Sequence, residues 1–267
     1  MTYYWLNGHL IDDSEARIAP SDRGFLLADG LFETFRARNG KVLWLTSHLE
    51  RLRAGAQQLD IPIPFSDAAI GNGLDGLIQK AGLSDAALRL TLTRGPSNKR
   101  GLWPSEDPAH PTLLASIAPY VAASPAQLIV SQTTRRNEHS PLSRLKALAY
   151  GDALIAKREA LARGATDAVL LNTQGDVACC TVGNLFIRDG NGWATPRLED
   201  GVLNGLARAR VLQMLDARER RIATFELGTI HEAVITNSLG VAPVTHIEGR
   251  ALDMSEIGAR LAALYVD

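Results

Sequence analysis

Three short turn signals constrain this chain more than any other feature. Asn7-Gly8 separates residues 3–6 from 9–11, Asn39-Gly40 separates 31–38 from 41–45, and Thr173-Gln174-Gly175-Asp176 separates 168–172 from 177–187. Asn-Gly readily supplies the positive φ that a two-residue hairpin turn demands, so each pair reads as strand, tight turn, strand. Ile70, Leu74, Leu77, Ile78 and Ala81 recur with helical period, and Gly82 is placed to end that helix. Residues 88–93 predict another strand, and 95–101 an exposed loop rich in turn formers. Strands and helices without regular βαβ alternation predict an α+β fold rather than a doubly wound sheet.

Three prolines in 104–111 and two in 118–125 break the pattern. The linker is placed at 118–125, between an N-terminal α+β domain (1–117) and a C-terminal α+β domain (126–267). In the second half, 128–134 reads as a strand, 145–162 as a helix, and 206–214 and 255–264 as two further helices. At 267 residues the chain exceeds the ~100–150 at which domain sizes peak, in keeping with two units.

With 28 Lys+Arg against 29 Asp+Glu, the net charge of −1 lacks the field that gathers polyanions. That argues against nucleic acid or an anionic membrane as the main partner. No apolar run approaches the ~20 residues of a membrane span, and the acidic opening is unlike a signal peptide, so a soluble cytoplasmic protein is expected. The two cysteines, Cys179 and Cys180, are adjacent. They build neither a disulfide framework nor a cysteine zinc site, and no metal is expected.

Two segments read as anion cups. Residues 201–208 run from a loop into a helix, whose free amides and positive dipole end suit a phosphate, with Asn204 as the expected cap; an ordinary capped helix would look the same. Ile235-Thr236-Asn237-Ser238 offers a hydroxyl and turn amides after a strand. Arg51, placed at the edge of a helix whose Leu45, Leu49 and Leu52 face inward, is a candidate cation, although a solvated arginine fits too. Lys146, at the start of a helical pattern between Leu145 and Leu148, is a candidate for a depressed pKa and Schiff-base chemistry, against the common alternative of snorkelling to water.

In combination these residues fall into a known series. Trp5-Leu6-Asn7-Gly8, Asp22-Arg23-Gly24-Phe25, Gly30-Leu31-Phe32-Glu33-Thr34, His48 to Leu52, Thr93-Arg94-Gly95, Thr134-Arg135-Arg136-Asn137, Lys146, Gly183-Asn184-Leu185-Phe186 and Thr236-Asn237-Ser238-Leu239 occur in order over nearly the whole chain. The sequence resembles the class IV aminotransferases, fold-type IV pyridoxal 5′-phosphate enzymes that include branched-chain and D-amino acid aminotransferases and 4-amino-4-deoxychorismate lyase. The resemblance implies a two-domain, D-amino acid aminotransferase-like architecture and a homodimer. It implies that Lys146 forms the internal aldimine and shuttles the α-carbon proton. Arg51, the Leu206 and Ala207 amides, Thr236 and Asn237 would hold the cofactor phosphate, and Tyr150 would lie near its phenolic oxygen.

Where many relatives place a glutamate five residues before the asparagine of Asn-x-Phe, this chain has Cys179. A neutral thiol does not enforce a protonated pyridine as a carboxylate does, so a weaker quinonoid intermediate is expected; a small core residue is the plainer reading of the same position. Arg94 or Arg100 would fork a substrate carboxylate, and Thr34 and Arg36 are candidate pocket residues. The expected reaction is amino transfer between an amino acid and a 2-oxo acid. The alternatives are lyase chemistry on aminodeoxychorismate, giving 4-aminobenzoate and pyruvate, and, remotely, non-catalytic cofactor binding.

Overall fold

The computed structural model describes residues 2–103 and 110–266, so most of the proline-rich stretch 104–111 lies outside the described residues. The chain divides into two compact units. One runs to Val121 and also takes in Lys146–Ala149; the other holds Ala122–Leu145 and the chain from Tyr150 onward.

In the first unit, Asn7 and Gly8 both adopt positive φ, and β1 (Tyr3–Leu6) pairs antiparallel with β2 (His9–Asp12). α1 (Arg23–Leu27) is capped by Asp22, whose carboxylate accepts from the Gly24 amide at 2.8 Å. β3 (Gly30–Arg38) turns at Asn39-Gly40 into β4 (Lys41–Val42), which is shorter than the expected strand through residue 45. Trp44 takes a left-handed φ of 55° and Leu45 already opens α2 (Leu45–Gln58), which ends the strand. α3 (Asp67–Ala81) runs from a Ser66 cap to Gly82, the stop legible in the sequence. β5 (Ala86–Thr93) and β6 (Thr112–Pro119) complete an antiparallel sheet of order β2-β1-β6-β5-β3-β4.

α2 and α3 cover one sheet face, burying Leu49, Leu52, Leu74 and Leu77 together with Phe35, Leu88, Leu90 and Leu92. Each such side chain contributes about 1.5–3 kcal/mol relative to exposure, which makes this face the source of the unit's stability. Strand alternation puts Phe32, Thr34 and Arg36 on the opposite face, with Thr91 and Arg89 as cross-strand partners of Phe32 and Thr34.

β4 is too short to cover the first half of β3, and a returning segment takes that edge. The Phe32 amide donates to the Lys146 carbonyl at 2.9 Å, and the Leu148 amide to the Gly30 carbonyl at 3.1 Å. The helix expected over 145–162 therefore starts later, as α4 (Gly151–Ala162), and Lys146 sits in a turn just before the Leu31–Ala147 bridge instead of in a helix. Satisfying a bare strand edge has outweighed local helical periodicity. The lysine accordingly groups with the first unit, whereas the sequence had placed it with residues 126–267.

In the second unit, β7 (Ala126–Val130) stops short of the expected span 128–134. The Ser131 hydroxyl and the Gln132 and Thr133 amides turn to the Glu159 carboxylate on α4, which draws them off the ladder. β8 (Asp167–Leu171) and β9 (Val177–Cys180) form the third hairpin. The expected single strand 177–187 is β9 followed by β10 (Asn184–Asp189), because the Cys180 amide closes a turn onto the Gly183 carbonyl at 2.9 Å. Then come β11 (Gly192–Thr195), α5 (Leu206–Leu215), β12 (Arg218–Glu219), β13 (Glu232–Asn237), β14 (Gly240–Ile247), β15 (Arg250–Ala251) and α6 (Ile257–Ala262), with a last 3-10 turn over Ala263–Tyr265. The sheet order is β12-β11-β10-β13-β14-β7-β8-β9, with β15 on β14. Leu128, Val169, Val177, Leu185, Ile187 and Val244 form its core. The chain is α+β, and among the described residues no helix is long and apolar enough to cross a membrane.

Candidate active site

Lys146 is delivered to the site by the edge pairing on β3. Its Nζ stands 4.3 Å from the centre of the Phe32 ring. Burial pushes the ammonium down to about 8; Glu33 opposes the shift, while Arg51 and Arg89 reinforce it. Near neutral pH a useful fraction of the amine is therefore unprotonated, as a nucleophile or proton acceptor must be.

The neighbouring Arg51 guanidinium and His48 ring are held in place by a carboxylate. Glu33 is 1% exposed and accepts Arg51 Nε at 2.8 Å, Arg51 Nη2 at 2.6 Å and His48 Nδ1 at 2.7 Å. Burial alone would push its carboxyl up, but the Arg51 fork and His48 outweigh that and hold it below the usual range. Burial lowers His48, so its ring is neutral and Nδ1–H is the donor to Glu33. On the sheet face beside Phe32, the Arg89 guanidinium lies 3.7 Å from the Phe32 ring centre, and the Arg36 guanidinium lies 3.8 Å from that of Tyr120. Thr34 is half-buried, directly opposite Arg89 in the register and two residues before Arg36 on β3.

The two other arginines named from the sequence are placed differently. Arg94 spends its guanidinium on Asp29, at 2.8 and 3.2 Å, and on the Asp60 and Leu59 carbonyls, each at 2.7 Å. It clamps loops together, which corrects the expectation of a carboxylate fork there. Arg100 is exposed on its loop.

In the second unit the two predicted cup segments come together. β10 and β13 place Asn184 opposite Thr236, and Asn184 Nδ2 donates to the Leu203 carbonyl at 2.9 Å, binding the loop before α5 to the strands. Gly205 is what permits this approach, since a Cβ there would fall 2.2 Å from Asn184 Oδ1. Gly205, and not Asn204 as expected, is the helix cap, and it offers no side-chain acceptor to the first-turn amides of Leu206 and Ala207. Thr236 is fully buried, and its Oγ1 has no hydrogen-bond partner among the described residues. An orphaned hydroxyl beside a helix start without a capping side chain is the donor set that a phosphate monoester satisfies. Asn237 adds its side chain, which reaches the Val182 carbonyl and accepts the Leu239 amide.

Cys179 lies buried on β9, and burial raises its thiol above the ordinary value, Arg136 opposing and Asp167 reinforcing; Cys180 is raised further. Both are neutral thiols, without the lowered pKa of a nucleophile. Tyr150 stands half-buried at the head of α4.

Sequence reasoning missed Glu33, Arg89 and Asn184 as site residues. Glu33 had a signal: a carboxylate in phase with Leu31 and Phe35, on the core side of the strand, requires buried cationic partners. Asn184 stood in the Gly183-Asn184-Leu185-Phe186 motif, but its tie to Leu203 depends on strand register, as does the placement of Arg89, which had no signal.

Residues 30–247 match the family described as amino-transferase class IV. The chain is 31% identical over 257 residues to the aminodeoxychorismate lyase of Bacillus subtilis (strain 168), covering 91% of this chain and 86% of that one. It is 28% identical over 255 residues to a D-alanine aminotransferase of Listeria monocytogenes, covering 91% and 87%. Among solved structures its fold resembles that of the branched-chain aminotransferase of the archaeon Thermoproteus uzoniensis with norvaline, with a TM-score of 0.89, 24% identity and coverage of 99% and 94%.

Proposed function

The chain belongs to the class IV aminotransferases, and from that premise we propose that it is a pyridoxal 5′-phosphate enzyme moving an amino group from an amino acid to a 2-oxo acid. The observation that carries the reading is the placement of the Lys146 amine on a sheet face that also bears Arg36 and Arg89. An amine that gives and takes protons, next to guanidinium groups that fork carboxylates, suits substrates that carry both functions.

When bound, pyridoxal 5′-phosphate supplies a carbonyl that condenses with amines and a ring that draws electron density from the substrate α-carbon. Each unit by itself offers groups that suit it. In the second unit the Leu206 and Ala207 amides, Thr236 Oγ1 and Asn237 would hold the phosphate; in the first unit Arg51, oriented by Glu33, is the guanidinium proposed for a phosphate. Tyr150 and Cys179 would meet the ring. Lys146 would take the proton from the substrate α-carbon and return it on the opposite half-reaction. Arg89 and Arg36, with Thr34 opposite Arg89 in the register, would receive the substrate carboxylate, and Arg100 would remain a loop cation at the margin.

The second reading, carbon–carbon lysis of aminodeoxychorismate to 4-aminobenzoate and pyruvate, draws support from the Bacillus subtilis relative. Assays with D- and L-amino acids paired with 2-oxo acids, set beside aminodeoxychorismate, separate the two. Pyruvate and 4-aminobenzoate formed without any amino transfer would replace the first reading by the second. A cofactor band insensitive to every donor and to aminodeoxychorismate would leave only binding.

In this reading Cys179, a neutral thiol, leaves the ring nitrogen without an enforced proton. Cys179→Glu is expected to shift the absorption of the bound cofactor and to accelerate the amino-acid half-reaction by about tenfold or more, since a carboxylate holds that nitrogen protonated and a thiol does not. Unchanged spectra and half-reaction rates in stopped flow would remove Cys179 from the site.

A homodimer accords with the surface of the first unit. Phe25, Leu26, Leu102 and Trp103 are 77%, 59%, 82% and 83% exposed, and Arg23 binds the Leu102 carbonyl at 2.6 Å, tying that loop to α1. Apolar side chains gathered in this way mark an association surface. Light scattering is expected to give the mass of two chains, and Leu26→Asp to lower it; a one-chain mass for the unaltered protein would refute the assignment.

A further inference from the structure

The proposed reaction leaves one buried hydroxyl of the second unit unused. Tyr265, in the last described turn, is 1% exposed. Its hydroxyl lies 2.7 Å from the Asn237 carbonyl and 3.2 Å from the Gly240 carbonyl. Those residues face each other across the two-residue turn from β13 to β14, immediately after Thr236. A phenol carries one proton, which the two carbonyls share, so a single group from a distant part of the sequence staples both sides of the turn. The far lip of the cup is tied nearby: Arg210 on α5 donates to the Leu206 carbonyl at 3.0 Å and lies within electrostatic range of the Tyr265 phenol.

We propose that the Tyr265 hydroxyl is a positioning group for the anion cup, fixing the turn from Asn237 to Gly240 and so the direction in which Thr236 and Asn237 meet a phosphate monoester. The inference rests on reading Thr236 and the start of α5 as a phosphate cup. Its physical basis is that the turn is anchored at its carbonyls, whereas the Thr236 hydroxyl just before it has no hydrogen-bond partner among the described residues and remains for a ligand. Without the phenolic proton the two carbonyls lose a buried donor, and the turn relaxes toward water. Removing only the hydroxyl keeps the buried ring.

The test compares pyridoxal 5′-phosphate with pyridoxal, which lacks the phosphate, by spectroscopic titration of the unaltered protein, Tyr265→Phe and Thr236→Ala. Tyr265→Phe is expected to weaken pyridoxal 5′-phosphate by about five- to tenfold and to leave pyridoxal unchanged, with inorganic phosphate losing its power to compete. Equal weakening of both ligands, or of neither, in a protein that otherwise prefers the phosphorylated form would overturn the positioning role. If the unaltered protein and Thr236→Ala both bind the two ligands alike, the cup itself is misassigned and the inference falls with it. Tyr265→His, whose shorter ring does not carry an N–H to the position of the phenol, is titrated in parallel, so that a poorly folding phenylalanine variant still leaves a decision; loss of the phosphate preference is expected, and its complete retention would count against the staple.

Discussion

Lys146→Ala is expected to abolish turnover, lowering kcat by about 10⁴-fold or more, the upper range for a group that serves as proton carrier and nucleophile alike. The loss follows from placement: the amine rests on Phe32 and is depressed to about 8 by burial, against Glu33 and with Arg51 and Arg89. The phosphate contacts are assigned to other residues, so the variant is expected still to bind the cofactor while failing to retain it after borohydride reduction. In the unaltered protein, peptide mapping should find the reduced adduct on Lys146. The rate of adduct formation should climb as pH rises through about 8, where the ammonium gives up its proton. An adduct on another lysine, or turnover surviving in the alanine variant, would displace Lys146 from the mechanism.

Glu33→Gln carries the largest expected cost in stability, about 3–5 kcal/mol, because it strands the partly buried Arg51 guanidinium without its carboxylate. Equilibrium unfolding in urea measures it. The pH dependence has a definite sign. The Glu33 carboxyl is held below its ordinary value of 4.5 in the folded chain, so its stabilisation is complete above that pH and is lost as pH falls through the depressed folded value. The gap between the unaltered protein and the variant should therefore narrow in acid. Glu33 also supports the charge on Lys146, so the variant's adduct-forming rate should rise at lower pH than that of the unaltered protein. A gap that does not vary with pH would mean that the carboxylate is held by packing and not by its charge.

How much of this was legible in the sequence depends on whether the deciding interaction was local. The Asn7-Gly8 and Asn39-Gly40 turns and the Ser66-to-Gly82 frame of α3 are fixed by residues within a few positions of one another, and they fold as written. The order of motifs brought Lys146, Arg51 and Thr236 forward before any geometry was available. Failures came where a distant partner decided. Helical periodicity over 145–162 yielded to a bare edge on β3, and the strand after residue 130 yielded to the Glu159 carboxylate. Arg94 resembled a substrate arginine by residue type alone, and only its ties to Asp29, Leu59 and Asp60 reveal a clamp. Asn204 was the stronger cap by preference, but Asn184 draws the loop so close that the glycine after it must take that place.

The four-residue return of the chain to β3 also bears on when the protein becomes reactive. Lys146 meets Phe32 only after a loop of more than a hundred residues has closed, and contacts so distant in sequence are costly to form and tend to arrive late in folding. Until then the lysine is an ordinary amine, almost wholly protonated at neutral pH. The depressed amine thus belongs to the finished chain alone, and a nascent or misfolded copy carries only an ordinary lysine there.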